Sequence, residues 1–311
     1  MRITYRDTLT RPQPIDHGTV SSLCTALRGR YPQYLQPFTV GASVLGRPIG
    51  GLTLRLPQGH SHPVRVLLAA AFHGQEWLTA LCALRLCETL CRCLSGGLPL
   101  RGLPIEEALR ERQVWFLPLV NPDGVEIAQR GSAGAGAYAA AAAALGADTP
   151  GLWQANARGV DLNHNFNAGW EEMQEAAAKN GYTHPAPRRY SGPLPESEPE
   201  TRAVADLCRR VAFRHVVALH SQGEEIYWRY GTHTPPQSRI MARVLGSVSG
   251  YRVADPAGFA SHGGFKDWFI RCYHRPGFTI ELGRGENPLP LTDFEPLYAK
   301  AEEMLALSVL L

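Results

Sequence analysis

His73 and Glu76 stand three residues apart where the apolar run VRVLLAAAF gives way to a helical pattern. His220 closes a second apolar run, HVVALH, and Glu281 falls near the end of a third, FTIEL. Two imidazoles and a carboxylate form the ligand set of a hydrolytic zinc site, which takes three protein ligands and keeps a fourth position open for water. Each residue alone has a plainer reading. A glutamate in the first turn of a helix is favoured by the helix dipole, and a histidine ending a strand is commonly only hydrogen-bonded. Their joint occurrence, in order along the chain, gives the metal reading its weight.

Such a site requires elements that deliver the residues to one place. VRVLLAAAF, VWFLPLV, HVVALH and FTIEL have the continuous apolar character of strands buried on both faces. LTALCALRLCETLCRCL and ETRAVADLCRRVAF lie between them and repeat their apolar residues at helical spacing. The alternation predicts an α/β fold, a largely parallel or mixed sheet with helices on both faces. Polar residues then arrive at the carboxyl ends of four strands, the edge where open α/β sheets bind ligands. The fourth strand delivers NPDG, residues 121–124, whose residue types favour a structural turn.

Upstream, a helix is expected over residues 20–30 and a strand pair around FTVGASVLGRPIGGLTLRL. GSAGAGAYAAAAAALGAD reads as a surface insertion with a short helix, since its alanines favour helix and its glycines oppose it. THPAPRRYSGPLPESEPE is rich in proline and is expected to be loop until residues 197–200 cap the next helix.

With 311 residues and a net charge of only +3, the chain is read as one domain, and its basic residues are scattered. That pattern argues against nucleic acid or an anionic membrane as the partner and favours a small substrate. A chain of this size buries roughly 75% of its unfolded surface, so its core needs no disulfide or structural metal. The start, MRITYRDTLTRPQPIDHG, lacks the apolar core of a secretory signal, and no apolar run reaches the roughly 20 residues of a membrane span. A cytoplasmic location is expected. Of the seven cysteines, Cys82, Cys87, Cys91 and Cys93 fall on or near one predicted helix without Cys-x-x-Cys spacing, which suits reduced, buried side chains.

HGQEW, NPDG, RGVDLNHNF, ALHSQGE, GGFKDW and FTIELGRGENP, taken in order, resemble the motifs of the zinc carboxypeptidases of the carboxypeptidase A type, from about residue 38 to 295. The resemblance implies a single carboxypeptidase-like α/β domain with a twisted mixed sheet of about eight strands. It implies His73, Glu76 and His220 as ligands of one Zn2+ per chain, and Glu281 as the glutamate that activates water. Zinc lowers the pKa of its water toward ~7, and a nearby carboxylate takes the proton and passes it to the leaving amine. Asp161 matches a carboxylate that orients a zinc histidine and fixes its tautomer.

The chain also departs from the digestive members. Asn163 is kept in DLNHN, but His164 stands where their arginine clamps the substrate carboxylate, and histidine is a weaker, pH-dependent substitute. Gln154 aligns with an oxyanion arginine; a neutral amide can donate there, or Arg158 or Arg130 can take over. Gln75 replaces a third substrate-binding arginine, and Phe259 a mobile tyrosine. Lys266 occupies a position that lines the specificity pocket, where it favours a substrate carboxylate unless it pairs with Asp267 or Glu286.

These departures resemble a bacterial branch, the γ-D-glutamyl-L-diamino acid endopeptidases, in WQANARGVDLN, AGWEE, PAPRRYSG, SEPE, HSQGEEIYW, GFKDW and ELGRGENPLPL. The implied reaction is hydrolysis of the γ-D-glutamyl amide to meso-diaminopimelate or L-lysine in a small muropeptide, without nucleic acid or membrane as partner. Removal of C-terminal residues from ordinary peptides is the alternative, and a non-catalytic binding protein a third reading. Glu224 and Glu225 either receive the diamino acid's amine or form a solvated turn, while Arg284 and Glu286 shape the loop after the catalytic strand. The chain is expected to be one catalytic domain over 1–311, with 1–37 an extension packed on it and no separate wall-binding module.

Overall fold

The computed structural model describes residues 7–256, 258 and 261–311. Its strands are β1 (Leu35–Ala42), β2 (Pro48–Arg55), β3 (Val64–Ala70), β4 (Arg112–Leu117), β5 (Phe213–His220), β6 (Glu225–Tyr227), β7 (Arg252–Ala254) and β8 (Gly277–Glu281). They form one eight-stranded sheet in the order β1-β2-β4-β3-β5-β8-β6-β7. The four apolar runs are its parallel centre, with β4 beside β3, β3 beside β5 and β5 beside β8. The expected strand pair forms the antiparallel hairpin β1–β2, and β6 runs antiparallel to β8.

The helices are α1 (His17–Arg30), α2 (Leu78–Gly96), α3 (Ile105–Arg110), α4 (Pro122–Arg130), α5 (Ala139–Ala144), α6 (Trp170–Lys179), α7 (Pro199–Arg210), α8 (Gln237–Ser249), α9 (Phe265–Tyr273) and α10 (Phe294–Leu310). Side chains alternate across a strand, so Val66, Leu68 and Ala70 join one core with α1, α2, α8 and α10. Leu67 and Ala69 join a second core with α7 and α9 on the other face. Burial on both faces is why β3 and β5 read as unbroken apolar runs. The cysteines of α2 are buried small side chains in the first core, as expected.

The N-terminal segment is tied to α2. Buried Glu88 accepts bonds from the Leu9 and Thr10 backbone N–H groups at 2.8 and 3.0 Å and from the Thr8 and Thr10 hydroxyls. Buried Arg85 donates to Thr10 O and Glu295 and lies over the Phe294 ring at 4.9 Å.

Three local expectations change. NPDG is the start of a helix: the Asn121 side chain accepts the Gly124 N–H, Pro122 takes the first helical position, and α4 follows. Helix α7 begins at Pro199, but Ser197 does not cap it; its hydroxyl donates to Glu198 Oε1 at 2.9 Å. The alanine-rich insertion is partly interior. A 3-10 run over Gly131–Tyr138 and then α5 bury Ala135 and Ala142 in a small third core with Trp153.

Candidate metal centre

Beyond β3 the chain continues to His73 and closes a 3-10 turn over Gly74–Glu76 that leads into α2. The turn folds Glu76 back so that its Oε1 lies 2.7 Å from His73 Nδ1. His220 is the last residue of β5, the strand paired with β3, and its Nδ1 lies 3.0 Å from the other oxygen, Glu76 Oε2. One ligand atom from each of the three lies within 4.8 Å of the others.

Asp161 occupies the far side of His73, its Oδ1 3.1 Å from Nε2. Its oxygens also accept the N–H groups of Asn163 and Arg189 at 3.2 and 3.0 Å. With Nε2–H donating to Asp161, a neutral His73 turns the lone pair of Nδ1 toward a carboxylate oxygen. Two lone pairs at 2.7 Å repel unless a proton or a cation lies between them. Burial opposes charge on His73, but Glu76 and Asp161 outweigh it and hold the imidazole's pKa well above its ordinary value. Burial likewise opposes the Glu76 carboxylate, which His73 and His220 nevertheless pull down to about 2. The centre therefore favours positive charge between its ligand atoms, and two imidazoles with one carboxylate are the donor set of zinc.

Glu281 is the register partner of His220 across β5 and β8. Burial first, and then the charge of Glu76, push its carboxyl well above the usual range.

The expected substrate-binding residues have different surroundings. Asn163 Oδ1 accepts the Phe265 N–H at 3.1 Å, which joins it to the start of α9. His164 is buried with Nδ1 3.5 Å from Asp161 Oδ2, so Asp161 lies between His73 and His164. Gln154 is half-buried, and its carbonyl accepts the Gly74 N–H at 2.9 Å. Arg158 lies against Tyr138 Oη at 3.4 Å and Glu198 at 3.6 Å, and Arg130 against Asp16 and Glu126 at 2.8 and 3.2 Å.

Of the two readings of Lys266, the structure has the pairing: Nζ bonds Asp267 Oδ1, donates to Arg229 O at 2.9 Å, and the residue is buried. Glu224 pairs with Lys300 and Arg284 at 2.6 and 2.7 Å, and Glu225 with Arg252 and the Tyr227 hydroxyl. Neither glutamate is a solvated turn residue. Phe259 lies outside the described residues.

A parallel-centred α/β sheet that brings two histidines and two glutamates to its carboxyl edge defines a metal-dependent hydrolase. The chain belongs to the zinc carboxypeptidase family (Peptidase_M14), whose profile matches residues 20–304. It is a zinc metallopeptidase, and its cofactor is Zn2+. It is similar to gamma-D-glutamyl-L-diamino acid endopeptidase 1 of Lysinibacillus sphaericus, at 35% identity over 302 residues, 96% of this chain and 73% of that one. Its fold is similar to that of thrombin-activatable fibrinolysis inhibitor, with a TM-score of 0.75 at 19% identity over 96% of this chain and 74% of that one. Carboxypeptidase A from Helicoverpa armigera shares the fold with a TM-score of 0.70 at 18% identity over 96% of this chain and 73% of that one. Among the described residues no helix is long and apolar enough to cross a membrane.

Proposed function

We propose that the chain hydrolyses the amide between the γ-carboxyl of D-glutamate and the L-centre of meso-diaminopimelate or L-lysine in peptidoglycan stem peptides. The observation that carries this reading is His164, an imidazole held beside Asp161 where an exopeptidase of this kind would clamp its substrate with arginine. The name and 35% identity of the Lysinibacillus relative support it.

In this reading His73 Nδ1, Glu76 and His220 Nδ1 hold the zinc. When bound, zinc polarises the scissile carbonyl and lowers the pKa of water toward ~7. Asp161 accepts the Nε2–H of His73 and so keeps the Nδ1 lone pair directed at the centre. Glu281 takes a proton from the attacking water and returns it to the leaving amine; a raised pKa lets it keep that proton between the two transfers. The Gln154 amide donates to the developing oxyanion, with Arg158 as the alternative donor, and Asn163 and His164 meet the substrate's carboxylate. Because Lys266 is paired with Asp267, it brings no net charge to bear on a substrate. The free cysteines suit a reducing compartment, which supports a cytoplasmic role on recycled wall peptides.

The test is release of diaminopimelate from L-Ala-γ-D-Glu-meso-diaminopimelate by the zinc-loaded protein. No release under conditions where an established endopeptidase works would sink the proposal. Asn163, the retained half of the clamp, favours a second reading as a carboxypeptidase, which faster cleavage of blocked α-linked dipeptides would support.

A further inference from the structure

Three backbone segments meet at His73 with no space for a further side chain at either of their glycines. They are Phe72 to Gly74 beyond β3, Asn121 to Gly124 at the start of α4, and Trp153 to Ala155 in the connection that leads to Asp161. A Cβ on Gly74 would run into the carbonyls of Gly124 and Trp153, and one on Gly124 would run into Ala155 O and the Asn121 amide. At the centre lies the fully buried side chain of Asn121. Its Nδ2 is 3.0 Å from Phe72 O, 3.1 Å from Ala155 O and 3.3 Å from Gln154 O, and its Oδ1 accepts the Gly124 N–H at 2.8 Å. The Gly74 N–H adds a direct bond to Gln154 O at 2.9 Å.

This arrangement exceeds what a helix cap requires. Capping uses only an acceptor oxygen, which aspartate or serine supplies equally well. Here the NH2 group is engaged as well, and its two protons go to carbonyls outside α4. Phe72 O belongs to the peptide that joins Phe72 to His73, so holding it sets the plane from which the His73 side chain departs. Gln154 O and Ala155 O belong to the strand of chain that carries Gln154 and leads into the turn before Asp161. One amide thus joins the backbone of a zinc ligand to the backbone of the residues on its other side.

We infer that Asn121 is a positioning residue of the metal centre, which fixes the His73 peptide against the Gln154–Ala155 segment and thereby sets where Nδ1 meets Glu76. The inference rests on the assignment of His73, Glu76 and His220 as the zinc ligands. It carries a reciprocal consequence: if the clamp raises zinc affinity, zinc must tighten the clamp by the same factor.

The experiment compares Asn121→Ala and Asn121→Asp with the unaltered chain, measuring zinc affinity by chelator competition and the Tm of the metal-free protein. Asn121→Asp keeps the capping oxygen but sets a carboxylate against three carbonyls. Both variants are expected to bind zinc roughly 10- to 100-fold more weakly, the usual loss when support behind a ligand is removed, with the aspartate variant the weaker. A mere cap would give the opposite pattern: a lower metal-free Tm in the alanine variant, little change in the aspartate variant, and unaltered zinc affinity in both. That pattern overturns the inference. If neither variant folds, hydrogen exchange of the Asn121 NH2 and the Gly74 N–H in the unaltered chain decides the matter. Both are expected to slow severalfold on zinc binding, and equal exchange with and without zinc overturns the inference. An unaltered chain that takes up no zinc overturns the ligand assignment as well, whereas one zinc per chain with equal affinity in the variants overturns the role of Asn121 alone.

Discussion

His220 and Glu281 are register partners on neighbouring parallel strands, so a zinc-ligand candidate and the base candidate leave the sheet side by side with no loop between them. Register places both side chains on one face and at one height. The position of His220 therefore depends on β5 and its backbone bonds rather than on the charge of Glu281.

Glu281→Gln is accordingly expected to keep one zinc per chain while losing roughly 100-fold or more in kcat, because an amide cannot take the proton of water. Metal analysis and kinetics on the same sample check this, and an unchanged kcat would remove Glu281 as the base.

Lys266 and Asp267 form a buried pair, and burial already raises the Asp267 carboxyl against the pull of Lys266. Removing the amine leaves an uncompensated buried acid. Lys266→Ala is expected to cost about 3–5 kcal/mol, while Lys266→Met combined with Asp267→Leu recovers most of the loss. Chemical denaturation of the two variants tests the pairing; a single variant as stable as the parent would contradict it.

His215 is buried within β5, with Nε2 donating to Ser308 O at 2.7 Å. Burial lowers its pKa to about 4, and the bond to Ser308 only partly offsets this. An unfolded histidine titrates near ~6.5. Between these two values the unfolded chain binds a proton that the folded chain refuses, so stability falls as pH falls and is unaffected by this group at higher pH. The loss across the window is on the order of 3 kcal/mol. His215→Gln is expected to flatten that part of the stability profile, measured by denaturation at several pH values. An equal fall in the variant would assign the effect to other groups.

Glu88 gathers four donors from residues 8–10. Glu88→Gln replaces one acceptor oxygen with a donor and removes the charge, at an expected cost of about 2 kcal/mol. Limited proteolysis reads the local effect: cleavage near residues 8–10 is expected to accelerate, and an unchanged rate would show that the segment is held by other contacts.

The sequence by itself determined which residues are candidates for the chemistry and which runs become central strands. The reason is that strand burial and strand-end polarity are local patterns, visible in VRVLLAAAF and HVVALH before any folding. Tertiary structure decided what surrounds those residues. NPDG has the same residue types as a turn and as a helix start, and α4 forms because Val125 and Ile127 find apolar faces to bury against. The alanine-rich insertion has side chains too small to specify their own packing, and the burial of Ala135 and Ala142 needs Trp153 from a later segment. Whether Lys266 meets a substrate or its neighbour depended on the geometry at the start of α9, and the fold turned it to Asp267. Most of all, Glu76 and His220 lie 144 residues apart in the chain and 3.0 Å apart in space. The strength of a charge depends on its burial and on partners brought from distant elements, so the electrostatic character of the centre exists only once the sheet has closed around it.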